Sequence, residues 1–418
     1  MATTQQYLNE IIKQKKVLAQ SLRNNGVEAS DDETFNTLIP KTNNIKSEPE
    51  EGFVIEEWTT QRISGVKVPK IIRTVGYKVL PNYGFACVSP SFGSPTGFFG
   101  DVTEIKLNEG LTNSGRYTFY TSCQSSTAKN ALKTVHWPST IEVIDEYSFY
   151  NNGNLIMDKL PDTIVRIDRY GFYSCNKITI KELPVNCTQL GISSLSKCGG
   201  ITEFTIGIDI PESCFMSDTA LTKVTLTQPI NIGATSFSNC SKLSEMNTEM
   251  IKSLGKNALE KTLLTDIKFD NWEGDTIGQY ALANMSKLKI KTLPETIKVI
   301  GPYAFQSDIG LTQLSTYATT LSTSSSTHYC FSGCTKIVAL YFASALDEDT
   351  IAKSRYLAAG CTGLKYLYIN MPRAEVEAML GYSYKFVNNT KQNVTIICND
   401  DADWITKEEF DAIDWTTR

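Results

Sequence analysis

Two histidines, eleven cysteines and one run of aspartates are the residues in this chain that could do chemistry. His136 and His328 stand far apart. Neither lies in a G-x-S-x-G, G-x-x-x-x-G-K-[ST], H-E-x-x-H or C-x-x-C sequence, so no nucleophile–base pair, phosphate cradle or zinc site is written locally. Cys330 and Cys334 are four apart but lack the second His/Cys pair that tetrahedral zinc needs. The run Asn399-Asp400-Asp401-Ala402-Asp403 offers oxygen ligands, yet it has neither the central Gly nor the acidic twelfth residue of a calcium loop. It reads instead as an acidic turn before a helix capped by Thr406 and Glu409. No catalytic residue, cofactor or metal is therefore expected.

Bulk properties point the same way. The 418 residues carry 45 acidic against 40 basic side chains, a net charge of -5, so no global field attracts nucleic acid or anionic lipid. Hydrophobic residues make up 41%, enough for a substantial core, and the cysteines are too sparse for a small disulfide scaffold. The first twenty residues lack the apolar run of a signal peptide, and no later stretch is long and apolar enough to span a bilayer. Neither nucleic-acid binding nor membrane insertion is expected.

Residues 1–46 differ from the rest. Leu8, Ile11, Leu18 and Leu22 recur at helical spacing with Ile12 beside them, Lys15 sits in the seam, and Asn24-Asn25-Gly26 is a helix stop. Ser30 and Glu33 form a capping-box pattern for a second short helix carrying Phe35, Leu38 and Ile39. So short a segment either packs on the next domain or serves docking or oligomerisation through Leu8, Ile11, Ile12, Leu18 and Leu22. Residues 47–52 read as a linker. Residues 53–100 form a β-rich N-terminal cap, with strands expected at 53–58, 66–74 and 77–80 and a Gly/Pro/Ser loop over 89–100.

An internal repeat dominates residues 101–372. IEVIDEYSFYNNGNL (141–155), IVRIDRYGFYSCNKI (164–178) and IKVIGPYAFQSDIGL (297–311) share one pattern of apolar residues around a large anchor. The anchors are Phe119, Phe149, Phe172, Leu195, Phe215, Phe237, Leu259, Leu282, Phe305, Phe331 and Ala358, with Phe85 as a degenerate copy. From Phe149 onward they are 23, 23, 20, 22, 22, 23, 23, 26 and 27 residues apart. Such a period means stacked supersecondary units rather than several globular domains.

After the anchors come LTKVTL (221–226), KIVALYF (336–342) and GLKYLYI (363–369), the L-x-x-L-x-L strand of a leucine-rich repeat. Pro138, Pro161, Pro184 and Pro294 end that strand, because proline has no N–H for the ladder. Cys175, Cys198, Cys240, Cys334 and Cys361 each lie three residues past an anchor, where other copies have Asn152, Asp218 or Asp308. They are expected to be buried free thiols. In each strand the residue between the last two apolar positions points off the sheet. Lys106, His136, Thr205, Thr225, Lys268, Tyr341 and Tyr368 should thus form a row on the concave face, with Tyr366 near its C-terminal end. Residues 373–418 are expected to cap the last coil. That cap should have a helix over 374–380, a strand over 394–398, and Trp404, Phe410 and Trp415 packed over the end. The Ser/Thr-rich stretch 315–327 is expected to be a long turn.

The combination LPxTIxxIxxxxFxxCxxL resembles the BspA-type leucine-rich repeat. The resemblance implies an α/β solenoid, right-handed with a parallel β-sheet on one face, here preceded by a short N-terminal helical segment. It also implies roles in adhesion to proteins or cells, and it brings no catalytic residues. The copies around Leu195, Leu259 and Ala358 lack the aromatic anchor. The N-terminal stretch, ending in its "Gly-Val … Thr-Phe … Leu-Ile" phrase, is similar to short helical leaders of phage tail-associated and fibre-like proteins. The resulting expectation is a non-enzymatic phage virion protein that docks by its N-terminus and presents the solenoid. Its partners would be other virion proteins or a host cell-surface protein or glycan, with homo-oligomerisation through the helix. The alternative is a bacterial BspA-like cell-surface adhesin.

Overall fold

The anchors are interior. Phe119, Phe149, Phe172 and Leu195 are buried, as are Phe215, Phe237, Leu259, Leu282, Phe305, Phe331 and Ala358. Their spacing therefore marks one turn of a coil, with Phe119, Phe149 and Phe172 stacked in one run and Phe215 on Phe237 in another. The computed structural model describes residues 4–24, 27–41, 51–60, 67–86, 100–121, 131–321, 329–347, 357–380 and 394–417. Contacts divide the chain into two units, Met1–Thr202 and Glu203–Arg418.

The first unit opens with helices α1 (Thr4–Asn24) and α2 (Phe35–Lys41). Strands β1 (Gly52–Thr60) and β2 (Lys67–Val75) pair antiparallel. β2 then leads a parallel ladder with β3 (Glu104–Lys106) and β4 (Thr134–His136). A second parallel ladder joins β5 (Val143–Ile144), β6 (Arg166–Ile167) and β7 (Gln189–Leu190). Each coil thus contributes to two ladders, and the anchor turn makes a third edge. There the N–H groups of Tyr147, Phe149 and Asn151 donate to the carbonyls of Arg169, Gly171 and Tyr173 at 3.0, 2.8 and 2.7 Å. Coil-to-coil bonding therefore continues through the turn, which answers for backbone groups that burial would otherwise orphan. The turn needs left-handed backbone at two positions per coil, such as Tyr147 (φ 57°) and Asn151 (φ 61°). Just before it, Gly191 has no room for a side chain, since a Cβ would lie 2.2 Å from the Arg169 nitrogen.

The second unit repeats the plan. Its strands are β8 (Glu203–Ile206), β9 (Lys223–Leu226), β10 (Ile230–Ile232), β11 (Glu245–Met246), β12 (Ile251–Leu254), β13 (Thr276–Ile277), β14 (Val299–Ile300), β15 (Gln313–Thr316), β16 (Thr320–Leu321), β17 (Ala339–Phe342), β18 (Tyr366–Ile369) and β19 (Thr395–Cys398). All of its pairings are parallel. Helices α3 (Arg373–Leu380) and α4 (Lys407–Ala412) follow the last coils. Thr406 and Glu409 cap α4 reciprocally, as their spacing predicts. Both units are parallel β-solenoids, the fold class the repeat implies.

Several expectations need correction. The Ser/Thr-rich stretch is not simply a turn: Ser315 and Thr316 end β15, and Thr320 and Leu321 form β16, because β-branched residues suit a buried ladder. The 77–80 segment makes only an isolated bridge at Val79. Ser30 and Glu33 bond to each other, but as a turn before α2, which starts at Phe35. Most of the linker and of the 89–100 loop, together with His328, lies outside the described residues.

The rung position past each anchor has a definite job. The thiols of Cys175, Cys198, Cys240, Cys334 and Cys361 donate to the carbonyls of Phe149, Phe172, Phe215, Phe305 and Phe331, the preceding anchors, at 2.9–3.2 Å. Asn152 does the same to Phe119 at 2.7 Å. Asp308 occupies this position too. Its Oδ1 accepts from the Met285 N–H at 2.7 Å, while its buried Oδ2 has no hydrogen-bond partner among the described residues. Burial pushes this carboxyl well above the usual range. The folded state therefore keeps a proton that the unfolded chain releases above about pH 4. Stability must fall as pH rises past that point. Asp308→Asn, which supplies the amide donor used at Asn152, should stabilise the protein at pH 8 by about 1–3 kcal/mol. The gain should shrink toward pH 4, as read by urea unfolding at both pH values. An equal gain at both would show that the proton is not involved.

Candidate functional site

The expected row of outward residues exists in register, but its members meet different surroundings. In the first unit Arg73, Lys106 and His136 are neighbours across β2, β3 and β4. Lys106 Nζ donates to Glu56 Oε2 at 2.7 Å, Arg73 Nε donates to Glu56 Oε1 at 3.2 Å, and His136 Nε2 lies 2.9 Å from Glu104 Oε1. The hydrogen bond from Lys106, with Arg73 adding to it, holds the Glu56 carboxyl below the usual carboxylate range. These side chains keep solvent contact, 40% for Lys106 and 52% for His136. The result is an open strip of two cations, a histidine and two carboxylates.

In the second unit Thr205 and Thr225 are paired neighbours and half-buried. Lys268 lies in no strand and reaches Glu249 at 3.7 Å. Tyr341 and Tyr368 are in register but only 3% and 5% exposed. The C-terminal segment folds back across their sheet face. Phe410 lies 5.0 Å from the Tyr341 ring and 5.6 Å from Tyr368, Trp404 lies 5.2 Å from Tyr341, and Trp415 lies tilted against Tyr366 at 5.3 Å. Tyr341 Oη donates to the Ile405 carbonyl at 2.9 Å, and Ser315 Oγ donates to Asp411 Oδ1 at 2.6 Å. Tyr341, Tyr366 and Tyr368 are thus the floor of a cap rather than open surface, because large apolar faces on neighbouring strands are covered when the chain can reach them.

The candidate docking residues also have a place within the chain. Leu18 and Leu22 are 2% and 0% exposed. With Ser21 they face Phe53, Val54, Ile55 and Trp58 across a small cavity. Gln14 Nε2 donates to the carbonyls of Tyr83 and Ala86 at 3.0 and 3.1 Å. α1 therefore covers the start of the first unit. Ile11 is half-buried and Ile12 is 41% exposed. Leu8 lies on α1, but its side chain is outside the described residues.

One surface escaped the sequence reading altogether. Two residues before the anchors stand Tyr83, Tyr117, Tyr147 and Tyr170, whose rings stack at 4.5, 4.7 and 4.7 Å. One residue after them stand Tyr120, Tyr150 and Tyr173, stacked at 5.1 and 4.8 Å. All seven are half-exposed. The signal is present in the tyrosines two before and one after Phe119, Phe149 and Phe172, but the turn edge carries no strand pattern that draws attention to it.

Among the described residues no group of three or more His, Cys, Asp or Glu side chains could hold a metal, and no helix is long and apolar enough to cross a membrane. The family model for the BspA type leucine rich repeat region matches residues 98–209 and 208–338. The chain belongs to the BspA-type leucine-rich repeat family. Among solved structures it is similar to a leucine-rich repeat protein from Bacteroides ovatus, at 14% identity and TM-score 0.44, over 82% of this chain and 97% of that one. It is also similar to a leucine rich cell surface protein from Faecalibacterium prausnitzii, at 14% identity and TM-score 0.40, over 88% and 96%. A third is the pneumococcal vaccine antigen PcpA, at 13% identity and TM-score 0.34, over 76% and 82%. No curated protein matches.

Proposed function

We propose that the chain is a non-enzymatic adhesion scaffold of the BspA type that works at a bacterial cell surface and binds a host-surface protein through the open strip of its first unit. The observation that carries this is the contrast between the two sheet faces. Arg73, Lys106 and His136 remain in solvent, whereas Tyr341 and Tyr368 are covered by their own chain. Partly paired charges on a rigid ladder favour a partner of complementary charge pattern. The virion reading rests on the likeness of the N-terminal stretch to phage leaders, and the burial of Leu18 and Leu22 within the chain supports the surface reading instead.

Two measurements test this. Antibody against the chain should label intact producing cells, while label confined to purified phage particles would reinstate the virion reading. Lys106→Glu combined with His136→Ala should weaken attachment of the purified chain to host epithelial cells about ten-fold, with an unchanged thermal midpoint. Undiminished attachment would show that the strip is not the contact.

A further inference from the structure

The double column of tyrosines is a surface of unusual make-up. Tyr83, Tyr117, Tyr147 and Tyr170 all sit in left-handed backbone, with φ of 57–58°. Left-handed backbone at this turn position belongs to the coil itself and sets the rings at the same point of each turn. Later coils place Ser193, Ser213, Thr235 and Asn257 at the same point. The coil therefore does not demand an aromatic there; Tyr280, Tyr303 and Tyr329 return to the position, but with no tyrosine after the anchor, so the double column belongs to the first coils.

Stacking decides what a partner would meet. Tyr117 and Tyr147 have neighbours on both faces, and so does Tyr150. Their exposed area must then be ring edge and hydroxyl tip, repeated every coil. Ring edges are the positive part of the aromatic quadrupole. Burial pushes the Tyr147 hydroxyl up to about 12 and raises Tyr117, so both remain proton donors at neutral pH. At the far end of the columns Arg169 lies 5.0 Å from the Tyr170 ring centroid, and Lys197 lies 5.2 Å from that of Tyr173. The carboxylates of these turns are engaged, Glu146 by Arg116, Asp168 by Arg166 and Asp145 by the Gly115 N–H. A strip of edges, hydroxyl donors and two ring-seated cations suits an anion.

We propose that this ladder binds an acidic polysaccharide laid along the columns. A protein partner normally seats a few large side chains in pockets. This strip offers instead a regular comb of hydroxyls and positive edges, which matches a polymer that repeats hydroxyl and carboxylate or sulfate groups along its length. The site is on the turn edge of the coils and is independent of the sheet-face strip.

Titration calorimetry of the full chain with polygalacturonate, hyaluronate and chondroitin sulfate tests this, with neutral dextran and polyglutamate as comparators. At least one acidic polysaccharide should bind, more weakly as salt rises, and dextran should not. The Tyr120→Ser, Tyr150→Ser, Tyr173→Ser triple variant uses the residue found at the same position in other coils (Ser196, Ser238, Ser332), so the coil accommodates it. It should lose at least ten-fold in affinity. Arg169→Gln with Lys197→Gln should lose affinity and flatten the salt dependence, and it serves as the second variant should the triple fail to fold. The proposal is overturned if none of the three polymers binds, if dextran binds as well as they do, or if both variants bind like the parent chain. It is also overturned if polyglutamate outcompetes every polysaccharide, or if the apparent site proves to be contact with a second copy, seen as a doubled mass.

Discussion

Phe172→Ala should destabilise the protein by about 3–5 kcal/mol, the largest loss expected from a single anchor. The ring has no solvent contact and stacks on Phe149 at 5.3 Å. That contact belongs to a run in which Phe119 and Phe149 lie 4.8 Å apart, and Phe85 and Phe119 5.6 Å. Its backbone is tied on both sides as well. Its N–H donates to the Ser194 carbonyl at 2.9 Å, and its carbonyl accepts the Cys198 thiol at 3.2 Å. A cavity here cannot close without breaking these bonds. In a coil array the loss is also felt by neighbours, since each repeat is held chiefly by the next. Phe172→Leu should cost far less, about 1–1.5 kcal/mol, because Leu195, Leu259 and Leu282 fill the same position in other coils. Urea unfolding followed by circular dichroism gives both values. Equal losses for alanine and leucine would mean that the anchor acts through something other than filled volume.

Phe410→Ala should cost a comparable 3–5 kcal/mol, roughly, for a fully buried ring, with a distinct second signature. Phe410 lies between Tyr341, Tyr368 and Trp415 at 5.0, 5.6 and 5.0 Å. Trp415 in turn donates its indole N–H to the Phe410 carbonyl at 3.1 Å. Without the ring, α4 loses its hold on the sheet and Tyr341 and Tyr368 become solvent-accessible. Dye binding to apolar surface should rise under native conditions, and amide exchange should quicken in β17 and β18 before the rest of the unit. A variant that is destabilised without new dye binding would show that α4 stays in place and that the cover does not depend on Phe410.

The contrast between these two regions shows what the amino-acid pattern can carry. The anchors and the rung cysteines are readable because each coil repeats the same local problem, a buried ring and an orphan carbonyl, at a fixed interval. Alternation along a strand likewise says that Tyr341 and Tyr368 leave the sheet on its outer side. It does not say what waits there. The covering residues Trp404, Phe410 and Trp415 are distant in sequence and not periodic. Their place near the end of the chain fits a cover for the open end of the last coil, whereas they cross its sheet face. α1 poses the same difficulty. Its apolar stripe fits a partner or its own chain equally well, and only the cavity beside Phe53 and Trp58 and the bonds from Gln14 show where Leu18 and Leu22 lie in this chain. The tyrosine columns were missed for a third reason: they follow from which residue precedes a turn, and a turn has no hydrophobic period.

The thiol rungs bear on where such a coil can function. Only a thiolate attacks a disulfide or an oxidant. Burial raises Cys175, drives Cys240 and Cys334 well above the ordinary thiol range, and pushes Cys330 up to about 12. The sulfurs of Cys175, Cys240 and Cys334 are also committed to carbonyls of the preceding coil. These cysteines need no oxidant to do their work and present nothing for one to react with. These rungs can therefore be assembled in a glutathione-rich cytosol and exposed to oxygen outside a cell without their thiols being drawn into disulfides.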